Sequence, residues 1–135
     1  MDINYKDKIR ITEFDALRLE QLIYAAQTRK GICPWHARLR LLLDTAEVVA
    51  SEKIGADTVT MNAKVLIGDK VNREQVRASL VFPTSSLHDN DEINVSVLSP
   101  LGLSILGQKI GYEIEGRLKL INMVYQPEAA GDFEV

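Results

Sequence analysis

Cysteine is almost absent from this chain of 135 residues, because Cys33 is its only thiol. One cysteine cannot form a disulfide within the chain, so a disulfide framework is excluded and a reducing cytoplasm is the expected location. Long apolar runs are missing too, and none approaches the roughly 20 residues that a membrane-spanning helix needs. The first eight residues, MDINYKDK, lack the apolar centre of a signal peptide.

Aromatic residues are also few. Phenylalanine, tryptophan and tyrosine make up 6% of the chain, whereas hydrophobic residues of all kinds make up 46% and charged residues 26%. These fractions are typical of a globular protein with one ordinary core, or with a small core and an appendage. The formal net charge of −3 identifies no partner by itself.

Acidic residues are missing from one long stretch. No Asp or Glu occurs between Glu20 and Asp44, although basic residues do occur there. The basic residues of this stretch are Arg29, Lys30, Arg38 and Arg40. The middle of the stretch is therefore locally cationic.

This cationic stretch joins two predicted helices. Thr12 can cap the first helix, Asp15 complements its dipole, and Gly31 ends it. Pro34 can open the second. The two apolar seams are Asp15, Leu19, Leu22 and Ala26, then Leu39, Leu42, Ala46 and Val49. A turn of about five residues between helices of about 16 residues each predicts an antiparallel hairpin. Leu41 and Leu43 lie off the seam, and we expect them to pack on a second surface, with an exposed partner site as the alternative.

Beyond Gly55 the pattern changes to strands. Apolar residues alternate with polar ones over residues 58–67, which predicts a strand that directs Thr58 and Thr60 outward. A turn at Gly68-Asp69 leads to a second strand. Its inward residues are Val76, Ala78, Leu80 and Phe82, and its outward residues are Arg77 and Ser79. Ile93, Val95 and Val97 form a third.

Residues 112–115 and 117–125 complete the strand pattern as a closing pair. The inward phase shifts from Leu120 to Ile121, which predicts a bulge near Leu120. One short helix precedes this pair. Ser99 caps it, Pro100 takes its first position and Gly107 ends it. The predicted fold is α+β: a helical hairpin, or short coiled coil, in residues 1–53, then about five antiparallel strands and one short helix in residues 54–135.

Two motifs carry a family resemblance. Ser99-Pro100 is followed by Leu-Gly seven residues on and by Gly111 four residues later, and residues 125–132 read YQPEAAGD. Together they resemble the Rnk (regulator of nucleoside diphosphate kinase) branch of the GreA/GreB transcription elongation factor family. The resemblance is close over residues 57–133 and covers the hairpin only in outline. It implies an FKBP-like domain in residues 54–135.

The resemblance implies RNA polymerase as the partner. In Gre-type domains the Ser-Pro helix start docks on a coiled coil of the largest polymerase subunit, and the hairpin points into the secondary channel. The docking candidates that this implies are Asp91, Ser99, Pro100, Leu101 and Leu103. Indirect contact with nucleic acid inside the complex is also implied.

The predicted hairpin tip departs from the Gre pattern. Gre factors place acidic side chains there to help hold magnesium for transcript cleavage, a task that needs carboxylates. Residues 27–38 contain no carboxylate. The basic and aromatic candidates at this end are Arg29, Lys30, Trp35, His36, Arg38 and Arg40. They can contact RNA or an acidic polymerase surface, or they can be a solvated helix end with Trp35 covering the last apolar layer.

We therefore predict a polymerase-binding regulator that competes with Gre factors and is not an enzyme. No metal site and no cofactor are predicted, because Cys33 and His36 supply only two of the four ligands of a structural zinc site. Ser85, Ser86 and His88 lie in a polar loop without a nucleophile elbow, so no hydrolase is predicted. The alternatives left open are a Gre-type cleavage factor, a prolyl isomerase and a regulator of nucleoside diphosphate kinase. YQPE reads only as a strand end and turn.

Overall fold

A computed structural model describes residues 9–27, 34–83 and 92–133. These residues form three α-helices, one 3-10 turn and seven strands. The helices are α1 (Glu13–Gln27), α2 (Pro34–Thr45) and α3 (Pro100–Ile105), and the 3-10 turn is Ser51–Lys53. The strands are β1 (Arg10–Thr12), β2 (Glu47–Val49), β3 (Lys64–Asp69), β4 (Gln75–Val81), β5 (Glu92–Ser96), β6 (Glu113–Ile114) and β7 (Leu118–Tyr125). The α+β class is as predicted.

The main sheet has five strands in the order β5-β4-β3-β7-β6, and a separate pair is formed by β1 and β2. The five strands agree with the prediction, but β5 runs parallel to β4, so the prediction of a wholly antiparallel sheet is wrong. A parallel neighbour needs a crossover instead of a tight turn, and residues 84–91 of that connection lie outside the described part. An alternating strand pattern is the same in both directions, so it could not reveal this.

The first helix begins as predicted. Thr12 Oγ1 accepts a hydrogen bond from the Asp15 backbone N–H at 3.0 Å. The second helix begins at Pro34 but ends at Thr45, so the prediction that it continues through Val49 is wrong. Glu47 N–H donates to the Ile9 carbonyl at 2.8 Å, and residues 47–49 pair with β1 as a strand. The predicted turn between the helices includes residues 28–33, which lie outside the described part.

The two leucines off the predicted seam have different surroundings. Leu43 is buried, as expected for packing on a second surface, whereas Leu41 is 65% exposed. Leu39 and Leu43 are the buried residues of α2, and Leu42 is only partly buried. Helix α2 thus turns a slightly different face to the core than the seam predicted.

The segment before β3 is buried on both sides. Val59 and Met61 are fully buried, as predicted, but β3 begins only at Lys64. Thr58 and Thr60 were predicted to face outward and are also buried, because the C-terminal segment covers them. Ser79, in the middle of the sheet, is likewise buried rather than outward.

The bulge in β7 lies beside Leu120, where it was predicted. Leu66 pairs with Asn122 and Ile67 with Leu120, so Ile121 has no direct partner. Its side chain is 36% exposed and lies over Gly68, although an inward position was predicted. Val76 and Ile93, also predicted to face inward, are 37% and 45% exposed.

One apolar core unites the helices with the sheet. Its helical members are Leu19, Ile23, Leu39, Leu43, Leu103 and Ile105, and they pack with Leu106, which follows α3, and with residues from β3, β4, β5 and β7. Helix α3 approaches the backbone closely, because a Cβ added at Gly102 would lie 2.0 Å from the Ser96 carbonyl oxygen. Only glycine allows this contact, which fixes α3 against the end of β5.

Replacing Gly102 tests this contact. We expect Gly102→Ala to lower the free energy of unfolding by at least about 2 kcal/mol, since the new methyl group has to displace backbone atoms. Ser104→Ala, in the same helix, should stay within about 0.5 kcal/mol of the parent. Urea denaturation measures both. A Gly102→Ala protein as stable as Ser104→Ala would contradict the close packing of α3.

Candidate functional site

The start of α3 has the capped geometry that its sequence predicts. Ser99 is extended, with φ −134°, and its Oγ accepts from the Gly102 N–H at 3.0 Å while donating to the Ser96 carbonyl at 2.6 Å. Pro100 follows in the first helical position, where its missing N–H is not needed. Gly107, with φ +79°, follows the C-cap residue Leu106, so the glycine that stops α3 lies where it was predicted. The Ser-Pro motif therefore has a complete structural role.

The docking candidates differ in how accessible they are. Pro100 is exposed, and Ser99 and Leu101 are partly buried. Leu103 is only 5% exposed and belongs to the core, so it packs α3 against the core and does not face a partner. Asp91 lies outside the described residues. The structure thus brings Ser99, Pro100 and Leu101 together at one accessible place.

Beside Leu101 lies a shallow groove of about 200 Å³. Apolar residues of three strands share in its lining with Leu101: Ile67, Val76 and Leu118. Its polar lining comes from Asp69, Asn72, Glu74 and Gln75 in and after the β3–β4 turn. The sequence indicated the turn but not that it meets α3, because that contact joins residues far apart in the chain.

The polar side of the groove is fixed by Asp69. Its carboxylate accepts from the Val71 N–H at 2.8 Å and pairs with Arg117 at 3.0 Å. The hydrogen bond from Arg117 lowers the pKa of Asp69, with the Val71 amide as a second cause. Asp69 therefore joins the β3–β4 turn to the turn before β7.

The first turns of α2 carry three of the aromatic and basic candidates, Trp35, His36 and Arg38. Trp35 is partly buried and packs against the core, and the Arg38 guanidinium lies 5.8 Å from the centre of a Trp35 ring. His36 is partly buried, and Arg38 is exposed. Arg29 and Lys30 lie outside the described residues.

Arg40 lies further along α2 and is neutralised. Its guanidinium pairs with both carboxylate oxygens of Glu20, one of them at 2.8 Å, and with Asp44 at 2.9 Å. The hydrogen bond from Arg40 lowers the pKa of Glu20. The two acids that border the acid-free stretch therefore neutralise one of its four basic residues.

The C-terminal segment, residues 125–132, contains the strand end and turn that its sequence predicts, because β7 ends at Tyr125 and a turn follows. Its contacts were not predicted. Gln126 is buried, and its Nε2 donates to the carbonyls of Gly55 and Thr58, both at 2.7 Å. Thr60 Oγ1 donates to the Glu128 carboxylate at 2.6 Å. The Tyr125 hydroxyl donates to Asp132 at 2.6 Å, which raises the pKa of Tyr125 to about 12.

Within residues 9–27, 34–83 and 92–133, no three His, Cys, Asp or Glu side chains are grouped so that they could hold a metal ion. No helix in the same ranges has both the length and the apolar character to span a bilayer.

Glu128 gives this segment a pH-dependent contribution to stability. Burial raises its pKa, and the charge of Asp15 adds to the effect. A carboxyl whose pKa is higher in the folded state stabilises the fold below its unfolded pKa, and that contribution is lost as the pH rises through the folded value.

We expect Glu128→Gln to be more stable than the parent at pH 7, by up to about 1 kcal/mol, because the amide oxygen still accepts from Thr60 without a buried charge. The difference should vanish near pH 4. Thermal unfolding between pH 4 and 7 measures it, with the exposed Glu52→Gln as the control. A constant difference across this range would refute the charge-based cause.

Comparison with known proteins identifies relatives of the whole chain. Residues 54–126 match the family described as Transcription elongation factor, GreA/GreB, C-term. The protein named Regulator of nucleoside diphosphate kinase from Escherichia coli is 32% identical over 133 residues, which is 93% of this chain and 95% of that protein. The Transcription elongation factor GreA of Clostridium acetobutylicum is 32% identical over 79 residues, or 58% of this chain and 49% of that protein.

A solved structure agrees with these sequence relatives. The prokaryotic transcription elongation factor GreA/GreB from Nitrosomonas europaea superposes with a TM-score of 0.71 at 32% identity, covering 87% of this chain and 98% of that one. The sheet with its Ser-Pro helix and the sequence similarity lead to one assignment: the chain belongs to the GreA/GreB transcription elongation factor family, and within it to the Rnk branch.

Proposed function

We propose that the protein binds RNA polymerase and regulates transcript elongation. The surface around α3 docks on a coiled coil of the largest polymerase subunit, and α1 and α2 point toward the secondary channel. Membership in a family of transcription elongation factors is the observation that carries this proposal. The exposed Pro100, the partly exposed Leu101 and the groove beside it supply a surface of suitable chemistry.

Within the docking surface the candidates have separate tasks. Pro100 and Leu101 make the apolar contact, Ser99 holds the helix start that presents them, and Leu103 supports them from the core. Asp91 completes the set as a candidate from the sequence. The surface is thus small and depends on the rigid position of α3.

The proposed action assigns one task to each part of the chain. Residues 1–53 act as the helical hairpin, and the pairing of Glu20 with Arg40 between α1 and α2 supports this assignment. Residues 54–135 act as the FKBP-like docking domain. A polymerase partner also fits the cytoplasmic location expected from the sequence.

We further propose that the protein does not cleave transcripts. Magnesium needs hard oxygen ligands, and residues 27–38 offer four basic or histidine side chains and no carboxylate. A cationic helix end repels a divalent metal ion and suits contact with RNA or an acidic polymerase surface. The protein then competes with Gre factors for the same docking place.

A second candidate function comes from the name of the Escherichia coli relative, Regulator of nucleoside diphosphate kinase. For this chain, such control fits an indirect effect through transcription of the kinase gene. Direct control would require the purified protein to bind the purified kinase.

Charged substitutions at the start of α3 test the docking surface. We expect Pro100→Glu with Leu101→Glu to weaken binding to core RNA polymerase at least tenfold, because two charges would enter an apolar contact. A glutamate in the first helical turn is compatible with the helix dipole, so the fold should remain. Binding is measured by fluorescence anisotropy, and folding by circular dichroism.

Leu41→Glu is the control, since Leu41 is an apolar residue that is 65% exposed and lies on α2 instead of α3. It should change the affinity less than twofold. Undiminished binding by the double variant would place the docking surface elsewhere.

Transcript cleavage is tested on a backtracked elongation complex in magnesium buffer. We expect the protein to release no short 3′ fragments, and to slow their release when it is added together with a Gre cleavage factor. Fragments produced by the protein alone would make it a cleavage factor. The measurement is gel analysis of end-labelled RNA.

A further inference from the structure

The C-terminal segment touches the one stretch that connects the helices to the sheet. Residues 55–61 follow the 3-10 turn after β2 and precede β3, so any change in the direction of α1 and α2 relative to the sheet passes through them. This connection, residues 55–61, is held from three sides.

The first side is α1. The Met61 N–H donates to the buried Asp15 carboxylate at 2.9 Å, and Arg18 pairs with the same carboxylate at 2.6 Å. Asp15 is only 1% exposed. A buried carboxylate without these partners is unfavourable, so α1 and the connection are held in one arrangement.

The second side is the end of α3. The Val59 N–H donates to the Gln108 carbonyl at 2.8 Å, and the Val59 carbonyl accepts from the Gly107 N–H at 2.9 Å. The Ile110 N–H donates to the Asp57 carbonyl at 2.9 Å. The connection is therefore attached to the same short helix that forms the proposed docking surface.

The third side is the C-terminal segment. The Gln126 amide donates to the carbonyls of Gly55 and Thr58, and Glu128 accepts from the Thr60 hydroxyl. These are side-chain bonds to three positions of the connection, from residues that follow β7 directly. Because β7 belongs to the sheet, they attach the connection to the sheet itself.

The C-terminal segment is closed by hydrogen bonds of its own. Gln126 Oε1 accepts from the Ala129 N–H at 3.1 Å, and the Asp132 N–H donates to the Pro127 carbonyl at 2.8 Å. The Tyr125–Asp132 hydrogen bond closes the turn. The turn therefore holds Gln126 in place without help from the connection.

We propose that residues 125–132 are a clamp that sets the direction of α1 and α2 relative to α3, with Gln126 as the positioning residue. The inference rests on the proposed function: when α3 docks on polymerase, the clamp determines where the start of α2 points. Without it, the Thr58 carbonyl loses its buried donor, the Gly55 carbonyl keeps only the Thr58 N–H, and α1 and α2 can pivot on the connection.

The free protein tests the clamp directly. Spin labels at Ala37→Cys on α2 and Asn122→Cys on β7, in a Cys33→Ser background, report the distance between the helices and the sheet. We expect a single narrow distance distribution in the parent and one at least twice as broad in Gln126→Ala. Gln21→Ala, which removes an exposed glutamine of α1, should keep the narrow distribution.

Thr60→Val is the second variant, because it removes one hydroxyl donor with little change of shape. It should also broaden the distance distribution. If Gln126→Ala does not fold, the width measured for Thr60→Val tests the clamp. Narrow distributions in the folded variants would overturn the clamp.

Polymerase separates positioning from simple stability. A photo-crosslinker at residue 37 should lose crosslinks to polymerase at least fivefold in Gln126→Ala, whereas affinity through α3 should change less than twofold. Equal crosslinking with and without Gln126 would also overturn the inference. If the parent does not bind polymerase at all, the proposed function fails, and the distance measurement still tests the clamp on its own.

Discussion

The buried carboxylate of Asp15 is the contact on which the arrangement of this protein depends. It lies in the first turn of α1, accepts from the backbone of Met61 and pairs with Arg18, whose guanidinium lies 4.1 Å from the Phe14 ring centre and 4.9 Å from that of Phe82. An ionised group inside a protein is tolerated only when its partners are all in place. Helix α1 is therefore held to residues 55–61 in one arrangement, and α2 follows through its contacts with α1.

This constraint explains why the helices and the sheet share one core. The seams of α1 and α2 do not only face each other, because Leu19 and Leu39 also belong to the cluster that includes the sheet and α3. A pair of short helices is unstable alone, and burial of their apolar faces against a sheet supplies the stabilising free energy that they lack. The proposed docking surface at α3 and the proposed helical hairpin of α1 and α2 thus share one apolar core.

Local chemistry made several elements predictable from the sequence. The caps at Thr12 and Ser99, the proline at the start of α3 and the bulge beside Leu120 all depend on neighbouring residues, and each is present. The features that escaped prediction depend on partners distant in sequence. Val49 is not part of the predicted helical seam, because residues 47–49 pair with β1 as a strand.

The candidate site divides in the same way. Ser99 and Pro100 were found from their motif, but the groove beside Leu101 unites α3 with a turn about 30 residues away in the sequence. The buried state of Thr58 and Thr60 depends on residues 126–128, and a threonine in an alternating pattern gives no sign of such a cover. Only a Gln followed by a Pro at the end of a strand gave a hint of a turn.

The pairing of the Arg40 guanidinium with two carboxylates has an electrostatic consequence for association. With that charge matched by Glu20 and Asp44, the other basic residues of the acid-free stretch, Arg29, Lys30 and Arg38, all precede Leu39 in the sequence, and Asp44 lies in the last turn of α2. Positive and negative charges are therefore separated along the helical pair. The electric field of a charged surface exerts a torque on such a dipole. Near a surface lined with phosphates or carboxylates, such a dipole orients the molecule before contact and raises the rate of association more than its final strength, an advantage that fades as ionic strength increases.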